Sequence, residues 1–106
     1  MAKYLVRANY TSDGVRAVLK EGGNSRRDAV KALIGGLGGS LEAFYFAFGD
    51  EDVYAIIDLP DNASAAAASL AVSAIGATRC QVTVLLTPDE IDAAAKKPTS
   101  YRAPGA

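Results

Sequence analysis

Apolar and polar residues alternate in four short segments of the chain, and this period of two predicts β-strands. The predicted strands cover residues 3–10, 41–48, 53–59 and 78–86, and they are rich in aromatic and β-branched side chains. Only residues 49–52 separate the second strand from the third, and these are turn-forming types. We therefore expect an antiparallel hairpin at that point.

Between the strands, apolar residues recur at helical spacing. Residues 12–20 and 25–37 predict one helix that is broken at 21–24 by two glycines, with Ser25 as the N-cap of the second part. An alanine-rich helix is predicted from the cap Asp61 to Ile75. A last short helix is predicted to begin at Thr87, which Pro88 and Glu90 follow in the pattern of a capping box.

The order β-α-β-β-α-β predicts an α+β domain of ferredoxin-like topology, with two helices on one face of a four-stranded antiparallel sheet. We expect this single domain to cover residues 1–97 and to be followed by a flexible tail over 98–106. The glycine-rich run 35–39 follows a helix and lacks the Lys-Ser/Thr of a phosphate-binding loop, so it predicts a helix end and a turn.

The sheet face without helices, called the open face below, is where we look for function. Alternation assigns Val53, Ala55, Ile57 and Leu59 to the helix side. The phase of the second strand is ambiguous, and we favour Phe44, Phe46 and Phe48 on the open face. The open face then carries the candidate ligand-binding residues Arg7, Asn9, Tyr54, Arg79 and Gln81.

A partly apolar face of this kind predicts a homodimer or higher homo-oligomer, formed face to face as in dimeric α/β barrels. Arg7 and Arg79 would be neighbours, and either an anionic ligand such as a carboxylate or a bridge to Asp58, Glu42 or a partner-chain acid would relieve their repulsion. We favour the bridge. We also interpret Tyr54 as an interface aromatic and Cys80 as an inert buried thiol.

Composition excludes several classes of chemistry. The chain of 106 residues has no histidine and one cysteine, so catalytic triads with histidine, histidine-ligated metals and internal disulfides are excluded. Its net charge is −1 and it has no long apolar segment, so we expect no nucleic-acid or membrane partner. Because the chain lacks histidine and a phosphate-binding loop, we also expect no cofactor or metal. The single cysteine indicates a reducing compartment, and we expect a cytoplasmic protein.

The sequence also resembles a known family. Tyr10, Thr11 and Gly14, an aromatic strand ending at Gly49, and then Asp52 are similar to the GYD domain family over most of residues 1–90. The resemblance implies a bacterial-type protein with a dimeric ferredoxin-like fold, and it implies no particular activity. Glu51 stands where the family has its eponymous tyrosine. From the residues themselves, Gly49 and Asp52 suit a turn that needs a permissive backbone and a side-chain acceptor.

Two functions remain open from the sequence. The first is a module that binds a small anionic or aromatic molecule, either between sheet and helices or between subunits. The alternative is a cofactor-independent isomerase or monooxygenase, by analogy with other dimeric α/β barrels, with Tyr54 as acid, Asp52 or Glu42 as base, and Arg7 or Arg79 on an enolate-like oxygen. RNA binding is rejected because the third strand lacks a basic-aromatic signature.

Overall fold

A computed structural model describes residues 1–105 of the chain. In this range the elements are β1 (Ala2–Tyr10), α1 (Ser12–Glu21), α2 (Gly23–Gly36), β2 (Ser40–Phe46), β3 (Val53–Leu59), α3 (Asn62–Ile75), β4 (Thr78–Leu85) and α4 (Pro88–Ala95). The predicted order of strands and helices is confirmed, with α1 and α2 as separate helices.

The four strands form one antiparallel sheet in the order β2-β3-β1-β4. The sequence neighbours β3 and β4 are thus separated by β1, as two crossovers through α1–α2 and α3 require. This is the predicted α+β fold of ferredoxin-like topology. β1 lies at the centre and pairs with both β3 and β4.

The core lies between the sheet and the helices α2 and α3. Alternation along β3 is strict: Val53, Ala55, Ile57 and Leu59 are all buried, as predicted. The cross-strand register places Tyr4 of β1 opposite Ile57 of β3 and Val84 of β4, so these three side chains lie on the helix side of the sheet. Tyr4 is 1% exposed, and its hydroxyl donates to the Asn62 side chain at 2.7 Å, so its one polar atom is satisfied at the core's edge.

The predicted phase of β2 is wrong. Phe44 pairs with Ala55 and Phe46 with Val53, so both rings face the helices, while Tyr45 pairs with Tyr54 on the open face. A bulge between Leu41 and Ala43 adds one residue to β2. From Ala43 onward, each side chain therefore lies on the face of the sheet opposite to the predicted one. Phe48 lies beyond the strand and is fully exposed.

Two of the three predicted N-cap residues are confirmed. The side chains of Asp61 and Thr87 accept hydrogen bonds from the first turns of α3 and α4, and Thr87 with Glu90 forms the predicted capping box. Ser25 is not a cap, because α2 begins at Gly23. The N-cap of α2 is Gly22, whose φ of 85° accounts for the break after α1.

The glycine run 35–39 ends α2 and makes a turn, as predicted, with backbone bonds that return to Ile34 and Gly35. Beyond β4, every residue of α4 is exposed, including Ile91. The domain boundary at residue 97 stays a prediction. No helix among residues 1–105 is both long and apolar enough to cross a membrane.

Candidate functional site

The five predicted open-face residues lie together near one end of the sheet. Arg7 stands between Tyr54 and Gln81 in the register, and its Nη2 donates to Oε1 of Gln81 at 2.7 Å. Asn9 is opposite Arg79, and its Nδ2 donates to Oε2 of Glu51 at 2.6 Å. The two arginines therefore occupy neighbouring strands but different register positions.

The predicted bridge from these arginines to Asp58 or Glu42 is wrong. Both carboxylates instead bind Lys3, whose Nζ lies 2.9 Å from Glu42 and 3.0 Å from Asp58. The hydrogen bonds to Glu42 and then Asp58 raise the pKa of Lys3. Within the described part of the chain Arg7 has no carboxylate partner, and its buried Nε makes no hydrogen bond.

The residues of the enzyme hypothesis are only partly brought together. Tyr54 lies on the open face of β3, whereas Asp52 precedes the strand and its carboxylate accepts the backbone N–H of Tyr10 at 2.9 Å. Glu42 lies with Asp58, which is four residues and roughly 13 Å along the strand from Tyr54. The proposed acid and its second candidate base are therefore far apart.

A cavity lies on the opposite side of the sheet, between the strands and the helices α2 and α3. It offers about 80 Å³ for the centres of water-sized molecules, several times what one water needs. Most of its lining is apolar and comes from every strand and from both helices: Val6, Ala8, Val30, Leu33, Ile34, Phe44, Val53, Ala55, Ile57, Ala65, Ala68, Val72 and Val82.

The alanine-rich sequence of α3 accounts for this space. Ala65 and Ala68 are buried and line the cavity, and their methyl groups fill less of the space between sheet and helices than larger side chains would. Ile34 belongs both to the core and to the cavity lining, so the cavity continues the core. Cys80 also lines it, with its Sγ 3.5 Å from the Ser69 hydroxyl, and is half-buried.

The cavity adjoins a second cleft. Four residues line both spaces and are called the mouth below: Tyr10, Arg26, Val72 and Thr78. The cleft has about 200 Å³ for the centres of water-sized molecules and lies against α1 and the end of α3. The apolar cavity and the cleft thus meet at the mouth, and Arg26 is the charged residue there.

Tyr10 and Arg26 set the electrostatics of the mouth. Burial raises the pKa of the Tyr10 hydroxyl, and the Arg26 guanidinium beside it opposes this shift without cancelling it. The Tyr10 ring stacks on Phe46 at a centroid distance of 6.4 Å. Arg26 is 30% exposed, and the carboxylate nearest to it is Glu21 at 3.7 Å, beyond hydrogen-bond length.

Four of the five family-motif residues form a corner beside the mouth. Asp52 accepts from the backbone of Tyr10, and the Thr11 hydroxyl caps α1 and donates to the carbonyl of Gly76. Gly14 is buried against Tyr10 and the carbonyl of Ala77. Gly49 is not part of this corner: it has no neighbour within 4 Å of a Cβ position and no positive φ, so the interpretation that it needs a permissive backbone is wrong.

Sequence reasoning missed Arg26 and Thr78. The signal was present for Arg26, because it shares a helical face with Val30, Leu33 and Leu37 at spacings of four, seven and eleven. A charged residue on an apolar helix face needs a partner or a function. Thr78 carried no such signal. Among residues 1–105, no three His, Cys, Asp or Glu side chains group together as metal ligands.

The comparisons with known proteins give one match. The model of the family described as GYD domain matches residues 4–95, and this range contains all residues that line the cavity and the five candidate residues of the open face. Neither a curated protein nor a solved structure matches the chain.

Proposed function

The chain belongs to the GYD domain family, and we propose that it is a homodimeric binding protein that holds a small, largely apolar molecule in the cavity between its sheet and helices α2 and α3.

The observation that carries this proposal is the cavity itself. Protein interiors pack densely and contain few voids larger than a water molecule. A concave apolar space with a few polar groups at one end is the usual form of a small-molecule site. The described residues provide this form on the helix side, whereas the sequence placed the candidate residues on the open face.

The open face supports the dimer. Tyr45 is 71% exposed and Tyr54 is 39% exposed, and Leu5 and Ile56 lie beside them on the same face. The face carries both signs of charge, with Lys3 and Arg79 as well as Asp58 and Glu42. A face of mixed charge suits pairing with a second copy of itself around a two-fold axis. In this proposal Arg7, Asn9, Tyr54, Arg79 and Gln81 are interface residues.

Binding is tested with benzyl alcohol and 1-hexanol as neutral probes. Each should raise the thermal midpoint, because a ligand of the folded state stabilises it, and each should slow modification of the Cys80 thiol. Val72→Phe narrows the mouth and should abolish both effects. Leu70→Phe is the matched control, because Leu70 is on the same helix but 71% exposed. If neither probe has an effect on the wild type, ligand binding in the cavity is wrong.

Dimerisation is tested by light scattering at micromolar concentration. The wild type should have twice the chain mass of 10.9 kDa. The double variant Tyr45→Asp/Tyr54→Asp should be monomeric, because it buries two unpaired charges in the interface. Tyr101→Asp, at an exposed tyrosine outside the sheet, should stay dimeric. A monomeric wild type contradicts the proposal.

A further inference from the structure

We infer that the ligand of the cavity is a small carboxylic acid, whose ring or short chain lies among the apolar residues and whose carboxylate is bound at the mouth by Arg26 and Tyr10. This inference rests on the proposed function, because it specifies the ligand class of the same cavity.

The polarity of the cavity is concentrated at one end. Outside the mouth the lining is aliphatic and aromatic except for Ser69 and Cys80, whose Oγ and Sγ lie 3.5 Å from each other. The guanidinium of Arg26 and the phenol of Tyr10 are instead at the mouth, where the cavity meets the cleft. A molecule that matches this distribution has an apolar body and one polar head.

Arg26 determines the charge of that head. It lies on the apolar side of α2, one turn before Val30, and lines both the cavity and the cleft. Glu21, its one carboxylate neighbour among the described residues, is 3.7 Å away and close to half exposed. This contact is longer than a hydrogen bond and leaves the planar donor pattern of the guanidinium open to a second acceptor. Arginine binds a carboxylate through two parallel hydrogen bonds, which favours a carboxylate over a neutral head group.

Tyr10 supplies a second donor at a fixed position. Its ring is stacked on Phe46, and its backbone is tied to Asp52. The Asp52 carboxylate is directed at that backbone N–H, so it does not occupy the guanidinium. Burial raises the pKa of the Tyr10 hydroxyl, which therefore stays protonated at neutral pH and able to donate to an anion.

The size of the cavity limits the body of the acid. About 80 Å³ for the centres of water-sized molecules limits the body of the acid to a single ring or a short chain at most. Val72 lines the mouth together with Arg26. The inference therefore names monocarboxylic acids with one ring or a short aliphatic chain. It excludes acids with fused ring systems, whose bodies exceed the space.

The test compares three acids with their neutral amides: benzoate with benzamide, phenylacetate with phenylacetamide, and hexanoate with hexanamide. Affinities are measured by calorimetry at neutral pH. At least one acid should bind the wild type more tightly than its amide. Arg26→Met keeps much of the apolar stem but removes the charge, and it should weaken that acid about 10- to 100-fold, the usual effect of a lost charged hydrogen bond. It should change amide binding by less than about threefold.

Three further variants complete the test. Arg27→Met is the matched control, because Arg27 pairs with Asp28 on the exposed side of the same helix and does not line the cavity. It should leave acid binding unchanged. Tyr10→Phe should weaken the acid several-fold and leave the amide unchanged, and Arg26→Lys should restore part of the acid affinity that Arg26→Met loses.

The outcomes separate this inference from the proposed function. If acids and amides bind equally well, or if Arg26→Met weakens both by the same factor, the carboxylate inference is overturned while the cavity remains a binding site. The same holds if no acid binds but benzyl alcohol does. If benzyl alcohol and 1-hexanol also fail to bind or to protect Cys80, the proposed function itself is wrong.

Discussion

The backbone N–H of Tyr10 donates a hydrogen bond to the Asp52 carboxylate at 2.9 Å. This bond joins the end of β1 to the residue before β3, where the Asp52 N–H also donates to the carbonyl of Ala8. The bond holds the backbone of Tyr10, whose ring stacks on Phe46 and lines the mouth. A loop carboxylate thus positions a side chain of the candidate site through the backbone.

We expect Asp52→Ala to lower the free energy of unfolding by about 1–2 kcal/mol, because it leaves the half-buried Tyr10 N–H without its acceptor. Asp50→Ala is the control, since Asp50 lies in the same loop, is exposed and has no hydrogen-bond partner in the described range. Urea unfolding of both variants measures the difference. Equal stability of the two would show that the bond contributes nothing.

Gly14→Ala should destabilise the protein by about 1–3 kcal/mol, the usual cost of overpacking. A Cβ at this position would lie 2.1 Å from the Ala77 carbonyl oxygen and 2.9 Å from Cδ1 of Tyr10. Gly35→Ala makes the same change in helix α2 where nothing lies within 4 Å, and it should stabilise by up to about 1 kcal/mol through helix propensity. Effects of the same sign in thermal unfolding would contradict the role of Gly14 in close packing.

Tyr10 should make stability depend on alkaline pH. Because burial raises its pKa in the folded state, the folded chain holds this proton more tightly than the unfolded chain does. The resulting stability is fully present below the unfolded tyrosine pKa of about 10 and is lost as pH rises through the higher folded value. Tyr10→Phe should therefore show a smaller loss of stability above pH 10. Its ultraviolet titration should also lack the late phenolate signal, and identical titrations would refute the raised pKa.

Asp61 should make stability depend on acidic pH. Its pKa is lowered because the carboxylate accepts from the backbone N–H of Ser64 and then from its hydroxyl. The stabilisation is present above the unfolded pKa of about 3.9 and is lost as pH falls through the lower folded value. Asp61→Ala should therefore be less stable than the wild type at pH 7, with the difference vanishing in acid.

Asp61→Asn separates capping from charge in this experiment. Asparagine is an N-cap about as good as aspartate but does not titrate. It should retain most of the stability at pH 7 and respond less to acid than the wild type. An Asp61→Asn variant that loses as much stability at pH 7 as Asp61→Ala would show that the side-chain bond to Ser64 is not what stabilises α3.

Local sequence signals were sufficient for most elements of the fold. The strict alternation of Val53 to Leu59 and the capping residues Asp61 and Thr87 act within one strand or one helix turn, so the sequence shows them directly. The prediction of the β2 phase was wrong because the bulge between Leu41 and Ala43 belongs to the pairing of β2 with β3, which the local pattern of β2 does not show. The prediction of Ser25 as a cap was wrong because Gly22, with a φ of 85°, is the N-cap and α2 begins at Gly23.

The ferredoxin-like order of elements, the helix-facing sides of β1, β3 and β4, and the exclusion of histidine chemistry could all be predicted from the amino-acid sequence. These follow from short-range periodicity and composition. The position of the cavity, and the meeting of Arg26 with Tyr10 and Thr78 at its mouth, became visible only in the folded chain. These residues are separated by long stretches of chain, and the space between them exists because small alanines of α3 pack opposite larger residues of α2, a difference in volume that no local pattern encodes.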